Sequence, residues 1–208
     1  MHNGLRLAEL LADRLCHDLS GPLNAMQGAA DVAADPALAG EAMEIVAEAT
    51  QIMVRRLRLL RAAWGTPAAL SSAEFTAFAK GLATRRLAIS IEHLDPWTSF
   101  SAEGARLALN ALLLAAGAVG GNGRLTIGGN PDAEVVFRIE GPRAAWPMGF
   151  ISLLADPDQA WAMLDDPNTL QGPLTVLLAQ AAGLGLSVLL GPKIEAAPPL
   201  VLRLGAGA

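Results

Sequence analysis

RLCHDLSGPLNAMQGAADV, residues 14–32, has the spacing of a helix, yet it sets a histidine beside an acid (His17, Asp18) and places Pro22 five residues after the histidine. Leu11, Leu15 and Leu19 fall on one side of that helix, and His17 points roughly opposite at about 100° per residue. Its neighbours three, four and seven positions away are Asp13, Arg14, Ser20, Gly21 and Asn24, none of them bulky and apolar. The spacing therefore predicts an exposed imidazole on a polar stripe. Pro22 removes a backbone donor and is expected to bend the helix just past the histidine. Taken alone, a surface histidine with an incidental kink is the better explanation of the stretch.

Working outward, apolar residues recur at helical spacing from about Leu5 to Asp31 and from Ala37 to Trp64. In the second run Leu38, Ala42, Ile45, Val46, Ala49, Ile52, Met53 and Leu60 make one stripe. Glu41, Glu44, Glu48, Gln51, Arg55 and Arg58 make another, which is the pattern of an amphipathic helix. AADPALAG separates the two runs, with Asp35-Pro36 as a helix start signal. The first 64 residues thus read as an antiparallel helical hairpin. With the turn near residue 35, the position facing His17 lies near residue 53, where Arg55, Arg56 and Arg58 cluster. Guanidinium groups near an exposed imidazole suit a group that carries a phosphoryl and meets an acidic partner. Arginines also favour the C-terminal half of any helix through its dipole, and spacing does not separate the two explanations. Two helices cannot surround their own apolar faces, so a homodimer built on a four-helix bundle is expected.

After WGTPAALSS the pattern changes. A helix over Ser72–Leu82, the strand LAISIEHL, a helix over Ala102–Val119, and the strands RLTIGG and EVVFRIEG follow in turn. An irregular Pro- and Asp-rich stretch, a helix over Leu174–Ala182 and the strands GLSVLLG and LVLRLG close the chain. The class is α+β: a helical hairpin over residues 1–66 followed by a two-layer α/β sandwich over residues 67–208. Apolar residues make up 52% of the 208, ample for a core, and rule out a disordered tail. A net charge of -5 argues against nucleic acid as a partner. Lone Cys16 cannot form an internal disulfide, and the most apolar run, Leu107–Val119, is too short to span a bilayer, so a cytoplasmic location with no membrane partner is expected.

CHDLSGPLNA carries a resemblance. Cys16, His17, Asp18, Leu19 and Pro22 are similar to the phosphoacceptor box of two-component histidine kinases, a His–acid pair followed by Pro in the first helix of a dimeric bundle. Cys-His-Asp-Leu followed shortly by Pro resembles in particular the ChpT family of histidine phosphotransferases. The likeness extends over nearly the whole chain: a hairpin, then a degenerate version of the kinase ATPase domain. In such kinases the second Asn of an Asn-rich helix holds the Mg²⁺ of ATP. Here Asn110 fits the first Asn, but Leu114 stands at the metal position and offers no oxygen. EGPRA replaces the Asp-x-Gly-x-Gly motif, with Glu140 the one acid nearby. GLGLS (183–187) mimics the later glycine box but follows a helix and leads into a strand, so Gly183 reads as a helix C-cap; QGPL (171–174) occupies the proper topological place. GGNG (120–123) fails as a phosphate loop for a similar reason.

The resemblance implies a phosphorelay. A receiver domain of a hybrid histidine kinase would donate a phosphoryl group to His17, which passes it to an Asp of a response regulator, CtrA-like or CpdR-like. His17 would be the phosphoacceptor and Asp18 would orient or polarise it. Asp13, Arg14, Ser20, Gly21 and Asn24 would line the partner surface, with Arg55, Arg56 and Arg58 added on the hairpin argument. No cofactor or metal is expected on this chain; Mg²⁺ would sit on the partner receiver. An ATP-dependent sensor kinase and a non-catalytic dimeric scaffold are the alternatives, told apart by Mg-ATP binding and by replacement of His17. His2 and His93 lack metal-ligand company, Trp64, Trp97, Trp146 and Trp161 read as packing anchors, and Asp165 and Asp166 as a solvated turn. DPDQAWAMLDDPN, around that turn, reads as a loop in place of the kinase's ATP lid.

Overall fold

The computed structural model describes residues 2–190 and 197–205. The chain divides into two compact units, Met1–Leu60 and Arg61–Ala208. α1 (His2–Val32) and α2 (Ala39–Trp64) are long helices joined by a short turn; they make up the first unit, except for the last turn of α2 from Arg61 on, which belongs to the second. Asp35 shapes that turn: its Oδ1 accepts from Ala37 N at 2.9 Å, and its carbonyl accepts from Leu38 N and Ala39 N. The Asp-Pro signal therefore closes a turn before α2 begins, two residues later than the sequence spacing suggests. Ala29, Ala42 and Ala49 are buried, and their small size lets the helices approach closely. Cross-helix contacts at Met26–Thr50 and Asp18–Arg56 set the antiparallel register.

In the second unit a five-stranded sheet runs in the order β2 (Leu87–Leu94), β4 (Gly123–Asn130), β5 (Glu134–Glu140), β7 (Leu200–Arg203), β6 (Gly185–Val188). β2 and β4 are parallel and the remaining pairs antiparallel. β5 alternates Val135, Phe137 and Ile139 inward with Glu134, Arg138 and Glu140 outward, as a strand with one covered face must. The covering layer includes α4 (Ala102–Ala118), buried almost all round, which packs against α6 (Gln171–Ala182) and β5. Phe75 of α3 (Ser72–Gly81) anchors the other end, its ring 4.9 Å from Phe100 and 6.4 Å from Phe137.

Some elements escape a periodicity reading because they are too short to show a period. β1 (Leu70–Ser71) and β3 (Ser99–Phe100) pair as a two-stranded ribbon. Within the stretch read as irregular lie α5 (Phe150–Ala155) and a 3-10 turn at Pro157–Trp161, the first entered through left-handed Gly149 and the second started by Pro157. α6 begins three residues earlier than the spacing indicates, and β6 stops at Val188. Trp146 is the anchor expected of it, its Nε1 donating to Pro198 O at 2.7 Å. Trp97 is not: it is 93% exposed at the tip of an Asx turn that Asp95 closes.

Candidate functional site

Each feature of the histidine box has a definite place on the hairpin. α1 continues through Pro22, which has no N–H to offer the Asp18 carbonyl one turn back. Ser20 turns its hydroxyl onto the helix and donates to Cys16 O at 2.7 Å. His17 stands clear, its side chain 69% exposed, while the adjoining Asp18 side chain is 9% exposed. One residue therefore faces solvent and the next faces the groove between the helices.

In that groove Arg56 donates to Asp18 Oδ2 from Nη2 at 2.7 Å and from Nε at 3.2 Å. Arg14 Nε lies 3.2 Å from the other oxygen, Oδ1. His17 Nδ1 is 3.9 Å from the same Oδ1, beyond hydrogen-bond reach. Asp18, expected to orient or polarise the imidazole, makes no hydrogen bond to it here: both carboxylate oxygens face guanidinium groups. Arg14 and Arg56, expected at the partner surface, are likewise drawn inward to Asp18. The hairpin register explains this, since it sets residue 56, and not 53, beside the histidine box. Two guanidiniums thus face this one carboxylate beside the ring.

Asp13, Gly21 and Asn24 are exposed on α1, and Arg55 and Arg58 are exposed on α2. Around Gly21 the space is open: a Cβ there would meet no atom within 4 Å. Among the described residues no cluster of His, Cys, Asp and Glu could hold a metal ion, and no helix is long and apolar enough to cross a membrane.

The second unit shows what became of the positions resembling a nucleotide site. Asn110 is fully buried, and its amide Nδ2 donates to Ala63 O and Arg106 O, both at 2.8 Å. Its Oδ1 accepts from Gln171 Nε2 at 2.9 Å. One side chain therefore ties α4 to the last turn of α2 and to the start of α6. Leu114, one turn further on, is buried as well. Gly183 caps α6 in the left-handed conformation (φ 64°) and the chain then enters β6, the order expected of a C-cap. A cavity of about 340 Å³ opens beside Gly172 and Pro173 at the α6 N-terminus, lined by Met148, Phe150, Leu153 and Met163, with Asp165 as its one carboxylate. Pro173 lacks the N–H that a phosphate would seek at a helix start. These residues do not fit a magnesium-bound nucleotide.

The profile of the histidine phosphotransferase C-terminal domain matches residues 72–193 of this chain. The chain belongs to the histidine phosphotransferase family. It is 26% identical over 200 residues, 89% of this chain and 91% of the other, to protein phosphotransferase ChpT of Brucella abortus (strain 2308). The structure of a bacterial phosphotransferase superimposes with a TM-score of 0.73 at 21% identity, over 96% of this chain and 95% of that one, and shows that the fold is shared. Family membership makes this a phosphotransferase of two-component signalling, with an N-terminal hairpin and a mixed α/β domain.

Arg14–Asp18–Arg56 is the part of the site that reading the sequence missed. Its signal was present: Asp18 falls on the Leu11 and Leu15 side of α1, where a carboxylate needs a cation.

Proposed function

We propose that this phosphotransferase accepts a phosphoryl group on His17 from the aspartyl phosphate of one receiver domain and passes it to an Asp of a second receiver, without using ATP. The observation that carries the reading is an imidazole standing free in mid-helix beside a carboxylate whose charge two arginines offset. A neutral imidazole nitrogen is the nucleophile: the N–P bond forms as the acyl phosphate P–O bond breaks, and the donor keeps a free carboxylate. The second transfer reverses these roles. Little covalent chemistry falls to the protein, so exposure for in-line approach and positive charge nearby are the properties that matter. Mg²⁺ comes with the acidic pocket of the receiver. Asp13, Ser20, Gly21 and Asn24 on α1, with Arg55 and Arg58 on α2, form the surface on which receivers would dock, and the bare Gly21 leaves room for close approach.

Leu38, just before α2, and Ile45 and Ile52 on it support the homodimer, because they recur at seven-residue steps and all stay exposed, with Met43 beside them. Such a heptad seam is what a second hairpin covers in a four-helix bundle. The absence of ATP chemistry rests on Asn110, whose amide is committed to protein partners, and on Leu114.

The test is a receiver domain charged with labelled acetyl phosphate and Mg²⁺, mixed with the full chain. Acid-labile, base-stable label should appear at His17 and be absent from His17→Gln. Label that stays on the receiver with every receiver tried would leave the hairpin as a binding scaffold. Calorimetry with Mg-ATP should show no binding; micromolar affinity would restore a kinase.

A further inference from the structure

We propose that Arg56 is a positioning residue for phosphotransfer: through its two hydrogen bonds to Asp18 it anchors that carboxylate in the interhelical groove, charge-compensated, so that the adjoining imidazole can carry a dianionic phosphoryl group. This rests on the reading of His17 as the acceptor and goes beyond it. The acid next to the histidine then serves as an anchor and not as the group that polarises the ring.

The distances argue for it. Arg56 grips one oxygen with Nη2 and Nε, at 2.7 and 3.2 Å, and Arg14 approaches the other at 3.2 Å, so the carboxylate is fixed from both sides. The imidazole lies just outside its reach, 3.9 Å from Oδ1. That arrangement depends on the cations. A carboxylate released from Arg56 needs only a side-chain rotation to close the remaining gap and bond the ring. It would then hold the nucleophile in a fixed orientation and set a negative charge against the incoming phosphoryl oxygens. A like charge this close is strongly unfavourable where one partner is largely desolvated, as Asp18 is at 9% exposure. The guanidinium fork matters as well as its charge, since a lysine supplies a point charge without the paired N–H groups. Arg56 also spans from α2 to α1, so the lock fixes hairpin register at the level of the histidine.

Phosphoramidate tests this without any protein partner and so separates the lock from docking. Its P–N bond breaks, ammonia leaves, and the phosphoryl group bonds to a nitrogen of His17. The rate would be followed by mass spectrometry of the His17 peptide in the full-length protein, with circular dichroism confirming the fold. Arg56→Met should slow labelling about tenfold, equivalent to about 1.4 kcal/mol in the barrier. Asp18→Asn should be slowed less, because its amide oxygen still accepts from Arg56 and the side chain carries no charge. Adding Asp18→Asn to Arg56→Met should recover most of the lost rate. If Arg56→Met fails to fold, Arg56→Lys with and without Asp18→Asn gives the same comparison. A rate for Arg56→Met equal to wild type overturns the proposal. So does an Asp18→Asn protein slower than Arg56→Met, which would return the acid to a direct role. A double variant no faster than Arg56→Met would reduce Arg56 to a structural tie. Wild type unlabelled at His17 would overturn the acceptor reading first and this proposal with it; labelled wild type with equal variant rates overturns this proposal alone.

Discussion

His17 and Asn110 are both polar side chains on long helices, and the protein treats them in opposite ways. The imidazole is held out from α1 with no hydrogen bond to its ring from the neighbouring acid, whereas the amide is sealed inside the second unit with partners on α2, α4 and α6. A group that must react with a visitor has to keep bonding capacity in hand. A group that must hold a fold has to have none left. On the proposed reading, the same division separates the reacting side chain from a structural joint.

The hardest break of that contrast is His17→Gln, which should abolish receiver-dependent labelling while leaving the thermal melt within about 0.5 kcal/mol of wild type, as expected of an exposed substitution. Asn110→Ala should do the reverse. Urea denaturation should show a loss of about 2–4 kcal/mol, since Ala63 O loses its side-chain partner and Gln171 Nε2 one of its two acceptors inside a packed unit. Any Mg-ATP affinity gained or lost with Asn110→Ala would undo the claim that the amide is purely structural. Ile52→Glu, in the exposed seam of α2, should raise the dimer Kd about tenfold or more in sedimentation equilibrium, because a charge would be desolvated against the second copy. An unchanged Kd, or a wild type that stays monomeric, would overturn the proposed four-helix bundle.

The smallest effect sharpens the comparison at a site with no part in transfer. Ser71 caps α3: its hydroxyl accepts from Glu74 N at 3.2 Å, and its hydroxyl and backbone N–H both donate to the Glu74 carboxylate. Those bonds, the hydroxyl's first, hold the Glu74 carboxyl below its ordinary value of 4.5. A depressed folded value means stability that is present above the unfolded pKa and lost as pH falls through the folded one. Ser71→Ala should cost about 1 kcal/mol at neutral pH. The gap between variant and wild type should narrow as the buffer is taken through the acidic range below 4.5, while phosphotransfer at neutral pH stays as it was.

Much of this was legible in the residue pattern. Hairpin, mixed sheet and the exposure of His17 follow from periodicities that run for several turns or several strand residues. Gly183 was readable as a cap because what flanks it, a helix and then a strand, is itself readable. Illegible parts depended on register or on single backbone angles. A turn closing two residues later than the spacing indicates is enough to bring Arg56 level with Asp18. His93 adopts a left-handed φ of 56° at an irregularity in β2, between Ile91 and Leu94, that no alternation pattern announces. Asn110 looked like a vestige of nucleotide binding because sequence shows the residue and not its partners.

Gly21 carries a consequence of a different kind. A glycine inside a helix is less stable than alanine there by roughly 0.5–1 kcal/mol, and nothing in the structure obstructs a methyl group at this position. Gly21→Ala should therefore yield a tougher hairpin that melts later, and a poorer relay component, because the added methyl stands one helical turn from His17 where a receiver must come close. Selection for thermal robustness and selection for signalling speed would pull this one codon in opposite directions.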